Sequence, residues 1–192
     1  MDAVWMTNMG DPEVARQFIE ALVGGTAVPG RTTFDATALQ GLTVVEAAEG
    51  RVICELPVTA RVQNRYGTLH GGCTATLVDT VSTAALLTAS PHTGVSVNLA
   101  INYVAPMPGS GPEEGQGPGS EAGTEAGEVV VVDARVTRVG RQLATLAVEL
   151  RRKATGQVVA TGTHTKFLQV PDPATARMRL AGGKEPPTRS KL

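Results

Sequence analysis

Between Asn64 and Asp79 the chain reads NRYGTLHGGCTATLVD, and two of its features could do chemistry together. His70-Gly71-Gly72 is a tight turn that opens a run of small and apolar residues, and from Gly71 to Ala89 the only charged side chain is Asp79. A helix beginning at that turn leaves backbone N–H groups without intrahelical partners, at the end where the helix dipole is positive. Gly71 has no side chain, so a carbonyl oxygen can come close to its N–H. A carboxylate in an apolar helix is costly to bury, and stability is a poor reason for Asp79 to stand there. A polarised carbonyl and a carboxylate that activates water, or attacks directly, are what hydrolysis of an activated acyl group needs. The spacing adds a constraint. Asp79 lies eight residues beyond Gly71, about 12 Å along a helix that rises ~1.5 Å per residue. Both groups cannot reach one carbonyl carbon from the same chain. A site that uses both takes Gly71 from one subunit and Asp79 from another, so activity requires a dimer.

The elements that must hold these groups are legible as periodicities. Residues 11–23 have helical spacing, with Val14, Phe18, Ala21 and Leu22 on one face and Gly24-Gly25 at the end. Residues 42–49 and 51–58 form a hairpin around Gly50. Residues 71–88 form a helix that is apolar all round and therefore buried. Residues 95–105, 128–139, 143–153 and 157–170 read as strands, punctuated by Pro106, Gly140 and Gly156. Strands joined by short turns make an antiparallel sheet, and one apolar helix beside it predicts an α+β fold in which the sheet wraps the helix.

Composition narrows the rest. The 192 residues predict one folded unit with tails: a helical segment 1–35, a core domain 36–170, and a polar tail 171–192. Residues 108–127 hold seven Gly, four Glu and three Pro, a flexible acidic insertion between two strands. It is a tolerated strand-turn insertion, or else it gates acyl entry or repels free anionic substrates. A net charge of −1 gives no basic field for nucleic acid or an anionic membrane. Asp79 interrupts the best membrane-span candidate. Cys54 and Cys73 sit in apolar runs and read as buried free thiols. The three histidines show no metal spacing, so neither metal nor cofactor is expected. His92 reads as solvated, His164 as a strand residue with a structural hydrogen bond, and Arg151-Arg152-Lys153 as a solvated turn. Trp5 is expected to pack on the core or a dimer contact. No GxSxG elbow surrounds Ser96, which argues against a serine nucleophile. The sequence closes on Ser190-Lys191-Leu192, a receptor-read peroxisomal address, so a peroxisomal location and an import-receptor partner are expected, with a cytoplasmic location if the address is unused.

The segment NRYGTLHGGCTATLVDTVSTAALL resembles the hotdog-fold acyl-CoA thioesterases of the phenylacetyl-CoA thioesterase-like type, and the resemblance continues through GVSVNLAINYVAP and KATGQVVATGTHTKFL. It covers roughly residues 42–168 and implies a hotdog fold, a curved antiparallel sheet around a long central helix. It further implies a homodimer with a continuous intersubunit sheet, often paired into a tetramer. Asn64, His70, Gly71, Asp79 and Ser96 fall on the family's active-site positions. The coenzyme A contacts fall on Tyr103 and on the turn Arg138, Val139, Gly140, Arg141, Gln142 and Leu143, where two arginines replace lysines and still suit phosphates. Phe167 stands at a late family position and is given no polar role. Asn64 could donate to the thioester or hold its loop. His70 could orient the carbonyl or brace the helix start. Ser96 could hold the lytic water. The expected activity is hydrolysis of a fatty acyl-CoA to free fatty acid and coenzyme A. An aromatic acyl-CoA such as a naphthoyl ester, or non-catalytic acyl-CoA binding, are the alternatives. A hotdog hydratase lacks support, because the central helix shows no hydratase-type His and acid pairing.

Overall fold

The structure, a computed structural model, describes residues 11–26, 30, 32–109 and 128–168. Trp5, most of the acidic insertion and the Ser190-Lys191-Leu192 tail lie outside the described residues. The elements run α1 (Glu13–Val23), α2 (Phe34–Ala38), β1 (Thr43–Ala48), β2 (Arg51–Pro57), a 3-10 turn (Ala60–Val62), α3 (Gly71–Leu87), β3 (Val95–Tyr103), β4 (Val129–Val139), β5 (Leu143–Arg152) and β6 (Val158–Phe167). The six strands form one sheet in the order β1-β2-β4-β5-β6-β3, and every neighbouring pair is antiparallel. The α+β reading and the helix-wrapping sheet therefore hold.

Side-chain alternation along the strands explains the wrap. On β2, Val52, Cys54 and Leu56 point inward, on β4 Val130, Val132 and Ala134, and on β5 Ala144, Leu146, Val148 and Leu150. Most of them share one core with Leu77, Val78, Val81, Ala84 and Ala85 of α3. Each large side chain so buried contributes about 1.5–3 kcal/mol. Val14, Ala15 and Ile19 bury the apolar face of α1. The short helix α2 has no counterpart in the apolar periodicity. Its start is set by one residue, Thr33, whose side chain accepts from the Ala36 N–H.

One contact sets how closely α3 approaches the sheet. A Cβ built on Gly162 of β6 would lie 2.7 Å from Cγ1 of Val78. Only glycine lets α3 sit this close to β6, and that proximity matters for the residues two and four positions further along β6.

Two expectations need correction. The helix over 71–88 is not buried all round. Gly72 is exposed, and Ala75, Thr76 and Asp79 are half-buried, leaving an uncovered stripe one turn wide. Asp79 is accordingly not a buried carboxylate in the single chain, since its side chain is 49 % exposed. The physical reason is that one sheet covers the flanks of α3 but leaves this stripe open. Arg152 and Lys153 pair with Glu128 and Glu55, and Arg151 with Glu149, so the basic run is occupied by carboxylates.

Candidate active site

The candidate residues fall into two groups at different heights on α3. The first surrounds the helix start. His70 is the N-cap, in extended conformation, and its Nδ1 accepts from the Gly72 N–H at 2.9 Å. That bond fixes Nδ1 as an acceptor and makes His70 a brace of the helix start. The Gly71 N–H donates to no group among the described residues. From the sheet side, Tyr103 Oη donates to the Gly71 carbonyl at 2.9 Å and pins the first turn. Asn64 is engaged with its own loop. Its Oδ1 accepts from the Tyr66 and Thr68 N–H groups, and its Nδ2 donates to Thr68 Oγ1 at 2.9 Å. Asn64, Gly71 and Tyr103 line a cavity of about 470 Å³, with Leu69 and Met107 among its apolar walls.

The second group lies two turns further along. Ser96 Oγ donates to Asp79 Oδ1 at 3.0 Å. A β-bulge between Ser96 and Asn98 aims this end of β3. His164 Nε2 stands 2.9 Å from Ser96 Oγ and 3.4 Å from Asp79 Oδ1. His164 Nδ1 stands 2.7 Å from Ser82 Oγ, one turn on from Asp79 along α3. Thr83 Oγ1 donates to the Asp79 carbonyl at 2.8 Å, and the buried Lys166 Nζ donates to Thr83 Oγ1 at 2.8 Å. Burial pushes His164 down to about 4, the Lys166 charge adds to that shift, and the Asp79 carboxylate opposes it. Burial also lowers Lys166, again against Asp79.

His164 and Lys166 are the functional candidates that sequence reasoning missed. His164 was expected to make only a structural strand contact, yet it is fully buried against the candidate base. The available signal was the alternation of β6: residues 160, 162, 164 and 166 share a face, which puts a His and a Lys toward the core where apolar residues belong.

The trio Ser96, His164 and Asp79 is not a serine-protease-type triad. There the carboxylate holds one imidazole nitrogen and the serine meets the other. Here Asp79 and Ser96 both meet Nε2, while Nδ1 meets Ser82.

The turn from Arg138 to Leu143 closes through Gly140 N–H to the Leu143 carbonyl at 2.8 Å. Neither Arg138 nor Arg141 has an ion-pair partner among the described residues. The register places this turn beside the second group, since Ser96 pairs with Lys166 and Lys166 with Ala144. Tyr103 belongs to the first group, so the expected coenzyme A contacts are themselves divided within one chain. Cys54 and Cys73 are free and buried. Burial raises their thiols to about 12 and about 11, so neither supplies a thiolate.

Comparison with known proteins agrees with this architecture. A family model described as "Thioesterase superfamily" matches residues 66–110. The chain is 44% identical over 128 residues to "Acyl-coenzyme A thioesterase 13" of Homo sapiens, covering 66% of this chain and 79% of that one. Among solved structures, it is similar to zebra fish thioesterase superfamily member 2, with a TM-score of 0.67, 34% identity, and coverage of 83% of this chain and 99% of that one. The Mus musculus thioesterase superfamily member 2 gives a TM-score of 0.63 at 34% identity, covering 82% of this chain and 97% of that one.

Proposed function

The chain belongs to the thioesterase superfamily, and we propose on that premise that it hydrolyses the thioester of fatty acyl-coenzyme A to free fatty acid and coenzyme A. The observation that carries the reading is the division of α3: Gly71, whose N–H has no acceptor among the described residues, lines a cavity, and a supported, half-exposed Asp79 stands on the uncovered stripe. The hydrolytic activity of the human relative supports it by name.

The site is completed by a second copy. Gly71 of one protomer polarises the thioester carbonyl, and Asp79 of its partner draws a proton from water as the water attacks the carbonyl carbon. The tetrahedral intermediate expels the coenzyme A sulfur, which takes up a proton to leave as the thiol. Two features support the dimer. β3 is a sheet edge of nine residues with Val95, Val97 and Tyr103 exposed, the kind of edge that pairs with another strand. The uncovered stripe of α3 runs through Asp79 itself. Arg138 and Arg141, which have no ion-pair partner among the described residues, are cations for coenzyme A phosphates, and Tyr103 would flank the bound ester.

The test is free-thiol release from short, long and aromatic acyl-CoAs by the wild type and by Asp79→Asn. The expected outcome is turnover, fastest on a fatty ester, that Asp79→Asn lowers ~10²- to 10⁴-fold while acyl-CoA binding persists in calorimetry. A preference for aromatic esters would change the substrate class. Binding without turnover on every ester would make this an acyl-CoA-binding protein.

A further inference from the structure

The hydrogen-bonded chain behind Asp79, buried at Ser82 and His164 and exposed at Ser96, has too few protons for all the contacts its members make with one another, and that shortage gives it a direction. Four short contacts link the groups: Ser82 Oγ to the Asp79 carbonyl at 3.2 Å, Ser82 Oγ to His164 Nδ1 at 2.7 Å, His164 Nε2 to Ser96 Oγ at 2.9 Å, and Ser96 Oγ to Asp79 Oδ1 at 3.0 Å. Each hydroxyl carries one proton, and a neutral imidazole carries one. Three protons must serve four contacts, so one contact goes unmade.

The two tautomers differ. If His164 carries its proton on Nδ1, the single Ser96 proton goes either to Nε2 or to Asp79 Oδ1. The first choice leaves Ser96 Oγ and the carboxylate facing each other at 3.0 Å with no proton between them, and the second leaves the Nε2 lone pair facing Ser96 Oγ at 2.9 Å. In both, the Nε2 lone pair also faces Asp79 Oδ1 at 3.4 Å, so either choice keeps repulsive contacts. If the proton is on Nε2, Ser82 donates to Nδ1, Nε2–H donates to Ser96, and Ser96 donates to Asp79. The contact given up is the longest, from Ser82 to the Asp79 carbonyl. That carbonyl still accepts from Thr83 Oγ1 at 2.8 Å.

We propose that His164 is a positioning residue for the hydrolysis: as the Nε2–H tautomer it commits Ser96 to donate its only proton to Asp79 Oδ1. The proposal rests on the hydrolytic reading of Asp79. Its consequence is that Ser96 has no proton to offer the lytic water. The water's proton goes instead to Asp79 Oδ2, which accepts no hydrogen bond among the described residues and belongs to a side chain that is 49 % exposed. Asp79 is thereby held in one rotamer from Oδ1, and Oδ2 is the oxygen that receives the substrate water's proton. A doubly protonated imidazole would satisfy all four contacts, but the ring is fully buried and Lys166, itself buried, adds a neighbouring positive charge. Both favour the neutral ring and together outweigh the Asp79 carboxylate, which favours the charged one.

The decisive measurement needs no substrate. In ¹⁵N-histidine-labelled full-length protein at neutral pH, the long-range nitrogen–proton correlation pattern separates the two tautomers, and the His164→Gln spectrum identifies the His164 signals by their loss. The expected pattern is a protonated Nε2 and a bare Nδ1. A protonated Nδ1, or protons on both nitrogens, overturns the proposal. Kinetics supply the second arm. Gln places an amide N–H near the Nε2 position, whereas Leu removes the donor. His164→Leu is expected to lose ~10- to 100-fold in kcat with KM changed less than about twofold, and His164→Gln to recover to within about threefold of the wild type. Equal loss in both variants overturns the donor role. Absence of turnover in the wild type together with the Nε2–H tautomer would instead remove the thioesterase reading and leave the direction of the chain standing.

Discussion

The start of α3 and its middle solve the same problem, holding a reactive group still, by opposite means. At the start, the side-chain bonds of His70 and Asn64 are local, while the Tyr103 hydroxyl donates to the Gly71 carbonyl and the Met107 carbonyl accepts from the Leu69 N–H. His70 caps Gly72 two residues on, and Asn64 holds Tyr66 and Thr68 within its own loop. In the middle, the contacts span the chain. Ser96 reaches Asp79 across 17 residues, Ser82 meets His164 across 82, and Lys166 meets Thr83 across 83. The first group is held by its own loop together with a few anchors from β3 and the segment that follows it. The second exists only when the sheet has closed on the helix in register. Damage to the sheet should therefore cost the base end more than the carbonyl end.

The sharpest way to break this comparison is to disable each end separately and then mix the products. Gly71→Pro deletes the N–H and nothing else that the helix needs. Proline is favoured at the first helical position. The residue before a proline must be extended, and His70 already has φ −65° and ψ 132°. A Cβ at Gly71 meets Tyr103 Oη at 3.4 Å, an ordinary contact. The variant should fold and lose ~10²- to 10³-fold in kcat, the worth of one oxyanion donor. Co-refolding it with Asp79→Asn should restore activity, because one site of each mixed dimer then has both groups intact. Random pairing in a closed two-fold dimer predicts about a quarter of wild-type activity. No recovery on mixing would place both groups of the site in one chain.

Gly162→Ala tests the dependence of the base end on sheet closure. The new methyl group meets Val78 at 2.7 Å and must push α3 away from β6. Overpacking of this kind costs about 1–3 kcal/mol, read as a lower urea midpoint. His164 and Lys166 lie on the displaced strand face, so kcat should fall more than stability alone explains, while the helix start stays intact. A loss of stability with unchanged kcat would show that the two groups on β6 tolerate displacement.

What the sequence disclosed follows the same division. Asn64, His70 and Gly71 lie within eight positions of one another, and a short motif with a turn, a cap and a helix carries their arrangement. The apolar periods gave the strands and α3, because burial on one face writes a period of two or 3.6 into the chain. Asp79 was conspicuous as a charge in an apolar helix, but its exposure was misjudged, since the period shows which faces are apolar and not how far one sheet reaches round. His164 escaped because nothing near it in sequence announces Ser82 or Asp79. Only the register of β6 against β3 and the closeness granted by Gly162 bring them together. α2 escaped because a helix of five residues leaves too short a period to read.

A pH titration of stability follows from the same buried ring. Burial holds His164 at about 4 against an ordinary 6.5, so between those values the unfolded chain binds a proton that the folded chain refuses. Stability should be fully present above pH 6.5 and decline as the pH falls toward about 4. Urea melts across that range should show the decline in the wild type and a flatter curve in His164→Gln. An equal slope in both would assign the acid sensitivity to other groups. Asp133 gives a built-in contrast. Burial raises it, but bonds from Arg51 and Arg135 outweigh that and hold it at about 2, so its contribution is present above its ordinary 3.8 and disappears only as the pH falls below the histidine window.

The smallest effect is expected where the comparison began. His70→Ala removes the cap on the Gly72 N–H but leaves the Tyr103 bond to the Gly71 carbonyl and the loop bonds of Asn64 in place. Losing an N-cap costs about 0.5–2 kcal/mol, and here the first turn retains a second anchor from the sheet, which favours the low end of that range. Because Nδ1 is occupied by Gly72 and the ring is exposed, its loss should loosen the helix start more than it removes a group from the reaction. His70→Asn, which also caps, should then recover most of both stability and kcat. If His70→Asn recovered stability but not kcat, the imidazole would be touching the ester through Nε2. The helix start would then be a place where cap and catalyst are one residue, unlike the base end, where the positioning residue and the base are different side chains.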